Sequence, residues 1–392
     1  MGAFEQELSQ RLKILEEQNL RRKLRRVSSP QQPRAIVDGR AVLNFSSNDY
    51  LGLATHPKLK EAAERAVREF GTGSGASRLI CGSIEPHERL EEALAAFKGA
   101  EAALIFSTGY ATALGTITAL MSSDDIVVLD KLVHASIVDA ARLSGAKLRV
   151  YAHNDLADLE KILDWCRRPA HEKARVLVVT ESVFSMDGDF APLREIVEVK
   201  EKFGAWLMVD EAHATGLFGE RRRGLVEEFG LSGRVEVQMG TLGKALGSAG
   251  GYVAGAGVLR DFLVNKARSF IFSTAPPPSV SAAAMAGLEV VRSEEGAELL
   301  SGLRRNVRQF CDGTGISPAA ENSPIVPQMV GEEVAAVRLS EELLKAGFFV
   351  PAIRYPTVGR GKARLRFTFS AAHEEDEIGQ LIAALRKLGY GR

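Results

Sequence analysis

Ala205-Trp206-Leu207-Met208-Val209-Asp210-Glu211-Ala212-His213 and, further on, Gly240-Thr241-Leu242-Gly243-Lys244-Ala245-Leu246-Gly247 are the stretches that decide how this chain is read. The first is a short apolar run closing on an acid, the pattern of a buried strand that ends at a polar site. Asp210 and His213 stand three positions apart just past that end, so both can face one site. The second stretch sets Lys244 among small residues, which permit close approach to its amine. An amine near an acid suits covalent chemistry on a carbonyl carbon, although the lysine segment alone also fits a plain surface turn.

Working outward, short strand-like runs alternate with helical stretches. Ala102–Phe106, Ile126–Leu129, Arg175–Val179 and Ala205–Val209 are apolar, and the last three are rich in β-branched or large aliphatic residues. Helical patterns fill Glu88–Phe97 and Leu193–Phe203. Repeated strand, helix, strand predicts a mainly parallel sheet covered on both faces, an α/β fold with ligands at the carboxyl ends of the strands. Phe4–Arg26 reads as an amphipathic helix with Leu8, Leu12, Leu15 and Leu20 on its apolar side and a basic end. That end is either a solvated face or an anion contact. Pro276-Pro277-Pro278 interrupts the alternation, and a helix over 279–292 follows. The expected division is an N-terminal helical arm over 1–45, a large ligand-binding domain over 46–278 and a small α+β domain over 279–392. The last holds a strand at Leu365–Phe369 and a closing helix at Glu374–Leu388.

Composition narrows the function classes. Fifty Lys+Arg balance fifty Asp+Glu across 392 residues, so no basic field argues for nucleic acid. Cys81, Cys166 and Cys311 form no CxxC pair, which predicts neither a disulfide framework nor a zinc cluster and suits a reducing cytoplasm. No run approaches the ~18 apolar residues of a membrane span, the N-terminus lacks a signal-peptide core, and Gln6 stands where a myristoylation signal wants Ser or Thr.

Further polar signatures follow other apolar runs. Ser107-Thr108-Gly109-Tyr110 closes one run and opens a helix over 111–120, which fits a phosphate site at a helix start or an ordinary N-cap. His134 follows another run, where it is either structural or stacked on an aromatic ligand and available for proton transfer. Ser182 and Ser185 lie beyond a third. Gly71-Thr72-Gly73-Ser74-Gly75 does not complete GxGxxG, and the position six before Lys244 is Gln238, so neither segment is a nucleotide loop. An Asp210–His213 metal site competes but lacks further clustered ligands. No GxSxG elbow supports a serine hydrolase. Lysine, acid and histidine together fit a pyridoxal 5'-phosphate enzyme best: the lysine bonds the cofactor aldehyde and the acid keeps its ring nitrogen protonated.

Asp210-Glu211-Ala212-His213-Ala214-Thr215-Gly216 with Thr241-Leu242-Gly243-Lys244 resembles the α-oxoamine synthases. The resemblance spans nearly the whole chain through Asn44–Leu53, Phe106–Tyr110, Asp130–Ser136 and Phe184–Asp189. It implies the aspartate-aminotransferase type of fold (fold type I), with a large mainly parallel domain and a smaller α+β C-terminal domain. Ala352–Val358, Ala363–Arg366, Tyr151–Asp155 and Ala371–Glu374 are most similar to the member that joins L-alanine to a pimeloyl thioester, carried on coenzyme A or a carrier protein, in biotin synthesis. Gly75–Gly82 is also similar to a sister enzyme that uses glycine. A non-catalytic partner-binding subunit is the remaining alternative, and it would be expected to lack the lysine or the acid.

The resemblance also implies roles. Lys244 would bond the cofactor and move the substrate Cα proton, Asp210 would meet the ring nitrogen, and His134 would stack on the ring and touch substrate. His213 and Ser185 would bind the phenolic oxygen. Ser107, Gly109, Tyr110 and Thr241 would hold the phosphate, with Ser273 and Thr274 reaching the phosphate of a neighbouring subunit in a homodimer with shared sites. Arg366 would grip the amino acid carboxylate, assisted by Asn48, Thr357 would contact substrate, and the basic arm near Arg22 would meet the acyl substrate. Alternation along the strand puts Arg364 and Arg366 on one face, so spacing alone does not separate them.

Overall fold

The computed structural model describes residues 2–390, so Met1, Gly391 and Arg392 of the expected outer domains lie outside the described residues. In chain order its strands are β1 Arg34–Val37, β2 Arg40–Asn44, β3 Ala102–Phe106, β4 Ile126–Asp130, β5 Lys147–Tyr151, β6 Val176–Glu181 and β7 Trp206–Asp210. They continue as β8 Val237–Thr241, β9 Gly251–Gly255, β10 Ile325–Gly331, β11 Phe348–Phe349, β12 Ala352–Ile353 and β13 Ala363–Thr368. The chain forms two compact units. One comprises Leu51–Ser185 and Asp189–Leu300; the other comprises Met1–Tyr50, Met186–Gly188 and Ser301–Arg392.

The larger unit holds a seven-stranded sheet in the order β3-β9-β8-β7-β6-β4-β5. Strands β8, β7, β6, β4 and β5 are parallel, and β9 is antiparallel to both β3 and β8. Parallel strands are buried on both faces, and all five residues of β4 are. Alternate residues along the strands make one layer of the core: Val127 and Leu129, Leu177 and Val179, Met208, Val237 and Met239. Ala113, Ile117, Ile137 and Ala140 from the helices Gly109–Leu120 and Ala135–Leu143 pack on that layer. Helix Leu193–Phe203 has the bounds its apolar spacing predicts, and Gly204 ends it at φ 66°. The expected boundary after residue 278 falls where helix Pro278–Arg292 begins, within the larger unit.

The smaller unit carries two three-stranded sheets, β1-β2-β11 and β10-β13-β12. The second is antiparallel throughout, with Pro327 opposite Arg366 and Met329 opposite Arg364. The N-terminal helix is shorter than its amphipathic pattern predicts, spanning Ala3–Glu17 rather than 4–26. Asn19 turns left-handed at φ 55° and the Leu20 N–H bonds back to the Leu15 carbonyl at 2.7 Å. Beyond it, Leu20 is buried while Leu8, Leu12 and Leu15 are exposed. The basic segment is used in tertiary contacts instead, with Arg25 on Asp38 and Arg22 on Thr357. Among the described residues no helix is long and apolar enough to cross a membrane.

Candidate active site

Because β6, β7 and β8 are parallel, their last residues Glu181, Asp210 and Thr241 emerge at one edge of the sheet. Lys244 sits three residues past β8, half-buried, with its Nζ 2.8 Å from His213 Nε2. Asp210 is buried, and its Oδ1 accepts the Ala212 N–H at 2.9 Å. Burial pushes the Asp210 carboxyl up from its ordinary range, and the Lys244 ammonium opposes that shift. His134 caps helix Ala135–Leu143, its Nδ1 accepting the Ser136 N–H at 3.2 Å. Desolvation lowers the imidazole below its usual range; nearby Asp210 opposes this and Lys244 adds to it. Lys244, Asp210, His134 and His213 are thus brought together in one cluster.

The start of helix Gly109–Leu120 lies beside this cluster. Thr108 Oγ1 accepts the Ala111 N–H at 2.9 Å, so the hydroxyl is the N-cap, and Ser107 next to it is exposed. A Cβ added to Gly109 would come 3.9 Å from Thr241 Oγ1, which brings the end of β8 against the first helical turn. Thr241 Oγ1 accepts the Gly243 N–H and donates to the Gly250 carbonyl. First-turn N–H groups have no partner inside their helix and favour an anion. Tyr110 is exposed and donates to Asp139 at 2.6 Å. Amine, buried acid, imidazole, and a hydroxyl-flanked helix start are the donor set that pyridoxal phosphate requires, and the residues fit it.

Ser185 follows the buried Phe184 in the loop after β6. Ser273 and Thr274 lie elsewhere: Thr274 is exposed and bridges to Ser77, and the Ala275 N–H bonds the Ala76 carbonyl. Thr274 is thus tied to the Ala76–Ser77 segment.

In the smaller unit the structure separates the two arginines of β13. Arg364 Nη1 is 2.5 Å from Asp187 Oδ1 and also reaches the Met186 carbonyl. Arg366 donates to Asn48 Oδ1 at 3.1 Å and to Thr368 Oγ1 at 2.8 Å, with the Tyr50 hydroxyl 3.5 Å away. Arg22 donates to Thr357 Oγ1 at 3.0 Å at a cavity of about 730 Å³ whose charged lining also includes Arg21, Lys23, Arg25 and Arg354 with Glu16, Asp38 and Glu341. Arg21 pairs with Glu16 and Arg25 with Asp38, while burial lowers the Arg354 pKa and Arg22 adds to the shift, so the positive excess of this cavity sits around Arg22, Lys23 and Arg354.

Three polar elements were not assigned roles from the sequence. Glu181 is buried at the end of β6, in register with Asp210. Lys98 and Glu211 form an ion pair with 1% and 0% of their side chains exposed. His153 sits between two acids, Nδ1 at 2.9 Å from Asp130 and Nε2 at 2.7 Å from Asp189, its ring edge-on to Phe184. An acid at a strand end that pairs with a site strand was the available signal for Glu181. Lys98 is separated from Glu211 by 113 positions, so spacing carried no signal for that pair.

His153 ties the ends of β4 and β5 to the loop after β6, and so braces the segments carrying His134 and Ser185. Burial opposes its charge, but the two carboxylates raise its pKa to about 10. A raised pKa contributes stability below the ordinary value of ~6.5, and that stability is lost as pH rises through the folded value. The unfolding-midpoint advantage of the native protein over His153→Gln is therefore expected to be full at about pH 6 and to shrink toward about pH 10. A constant difference across that window would contradict the assignment.

Among the described residues no group of three or more His, Cys, Asp or Glu is placed to hold a metal ion. The family model for class I and II aminotransferases matches residues 40–385. An 8-amino-7-oxononanoate synthase of Geotalea daltonii is 48% identical over 387 residues, covering 98% of both chains. That of Bacillus pumilus is 43% identical over 97% of this chain and 96% of its own. Among solved structures, a serine palmitoyltransferase from S. paucimobilis with a bound PLP–myriocin aldimine superposes with a TM-score of 0.90, at 32% identity over 98% of each chain. An 8-amino-7-oxononanoate synthase from Francisella tularensis gives a TM-score of 0.75 and 29% identity, covering 89% of this chain and 98% of its own. Near-full-length identity to proteins of one name, on a fold-type-I frame whose lysine cluster suits the cofactor, places this chain in the class I and II aminotransferase family and, within it, among the 8-amino-7-oxononanoate synthases, pyridoxal phosphate-dependent acyltransferases of biotin biosynthesis.

Proposed function

We propose that the chain condenses L-alanine with a pimeloyl thioester, on coenzyme A or a carrier protein, to give 8-amino-7-oxononanoate, CO2 and the free thiol. When bound, pyridoxal phosphate supplies an electron sink for negative charge at the amino acid Cα. Lys244 Nζ takes the Cα proton, with His213 Nε2 as its immediate neighbour. Asp210 would hold a negative charge for the ring nitrogen, and His134 would pack on the ring. His213 and Ser185 would bind the phenolic oxygen. Ser107, Gly109, Tyr110 and Thr241 would hold the phosphate, joined by Ser273 and Thr274 of the second subunit in a cytoplasmic homodimer. Arg366 grips the alanine carboxylate through its planar fork, oriented by Asn48.

The observation that carries the acyl side is the cationic cavity where Arg22 meets Thr357. Clustered guanidinium groups suit an anionic acyl substrate better than a short neutral one. The test is a panel of pimeloyl, acetyl and palmitoyl thioesters offered with alanine, glycine or serine, read by mass spectrometry of the aminoketone. Alanine with a pimeloyl thioester is expected to exceed every other combination by at least about tenfold, the ratio that about 1.4 kcal/mol of differential transition-state binding provides. Glycine with acetyl-coenzyme A as the best pair would make the chain the glycine-using sister enzyme instead.

A further inference from the structure

Glu181 and Asp210 are register partners at the ends of two neighbouring parallel strands, so their carboxyl groups project from one edge of the sheet. Glu181 is 3% exposed and Asp210 6%. Two adjacent carboxylates in so little water cannot both be ionised without large cost. Their surroundings differ in a way that assigns the charge. Asp210 takes the Ala212 N–H on Oδ1 and feels the Lys244 ammonium, whereas Glu181 takes the backbone N–H groups of His134 and Ser185 on one side only and leaves Oε1 buried with no hydrogen-bond partner. An ionised oxygen left without a donor is the costlier state.

We propose that Glu181 is a positioning residue that holds a proton beside Asp210, so that the two strand ends carry a single negative charge and that charge rests on Asp210. The consequence for the reaction rests on the cofactor reading above, in which Asp210 faces the ring nitrogen. Undivided charge on Asp210 gives that nitrogen a full counter-ion, while Glu181 contributes bulk and a proton without competing for it. Pairs of acids whose environments push their pKa values apart divide labour in this way.

The surrounding charges are consistent. Burial pushes the Glu181 carboxyl up to about 8 and Asp210 adds to the shift; Lys244 and the backbone N–H groups of His134 and Ser185 oppose it. Lys244 itself lies against His213. The His134 ring is influenced by Asp210, Lys244 and Asp139. Glu211, which also influences Asp210, is paired with Lys98.

Infrared difference spectroscopy on the cofactor-free protein reads the Glu181 proton directly. The native protein is expected to show a protonated-carboxyl band at neutral pH that fades as pH rises through about 8, and Glu181→Gln is expected to lack it. In the loaded protein, Glu181→Gln should retain cofactor affinity within about threefold and lose the matching inflection in the pH titration of the visible absorption band. Asp210→Asn, which leaves Glu181 in place, should shift the infrared transition to lower pH by about one unit or more. A native protein without the band, a band that survives in Glu181→Gln, or an Asp210→Asn transition that does not move would each overturn the proposal. A protein that shows the band but does not take up pyridoxal phosphate would leave the carboxyl pair intact and remove the cofactor reading.

Discussion

Lys244→Ala is expected to leave a protein that does not retain the yellow cofactor through dialysis and whose condensing activity falls by at least about a thousandfold. The size of the loss follows from removing nucleophile and base together, since a positioned base alone contributes ~10²–10⁴. Lys244→Arg sharpens the test. A guanidinium keeps the positive charge beside His213 and Asp210 but stays protonated at every working pH, so it can neither bond the aldehyde nor accept the Cα proton. Its activity should fall as far as that of Lys244→Ala while the stability of the apo protein changes little. Absorbance spectra after dialysis and steady-state rates check both variants. A Lys244→Ala protein that stays yellow and turns over at the native rate would remove Lys244 from the chemistry.

Lys98→Met is the second large effect, and it acts through stability. The Lys98 ammonium is buried against Glu211 and the Arg223 carbonyl, while Glu211 Oε1 also takes the Val226 N–H at 2.9 Å. Burial alone would depress the lysine, but Glu211 keeps it charged. Removing one partner leaves a buried carboxylate uncompensated, at a cost of about 3–5 kcal/mol. The denaturant midpoint of the cofactor-free variant should fall accordingly, and Lys98→Met combined with Glu211→Gln should recover part of the loss. The substitution also reaches the active site. Glu211 already pushes the neighbouring Asp210 toward protonation, and without Lys98 its charge is no longer paired, leaving Lys244, His134 and the Ala212 N–H to oppose that push. Cofactor affinity should therefore weaken more in Lys98→Met than in the double variant. Equal affinities would remove the link to Asp210, and an unchanged midpoint would show that the pair does not stabilise the fold.

Much of this molecule is legible along the chain because its signals are local. An apolar run such as Trp206–Val209 specifies a strand by burial, and the polar residue that ends it must emerge at the sheet edge. Helix bounds at Leu193–Phe203 and Pro278–Arg292 follow from apolar spacing, Gly204 and the proline run. The amphipathic N-terminus misleads for the same reason. Its spacing continues past Glu17, but Asn19 turns left-handed and Arg22 finds Thr357, a partner 335 positions away. Local periodicity cannot anticipate a contact of that reach.

The sequence by itself determined the sheet class and the placement of Lys244, Asp210, His134, His213 and the Gly109 helix start just past strand ends, because each depends on short-range pattern. Only the tertiary structure decided which arginine of β13 meets Asn48. Arg364 and Arg366 share a strand face, and Asp187, brought from the middle of the chain, engages one while Asn48 and Tyr50, brought from its N-terminal part, meet the other. It likewise decided that Glu181 stands beside Asp210 and that Lys98 neutralises Glu211. Register between strands and burial of charge arise from contacts between distant segments, and no spacing along the chain encodes them.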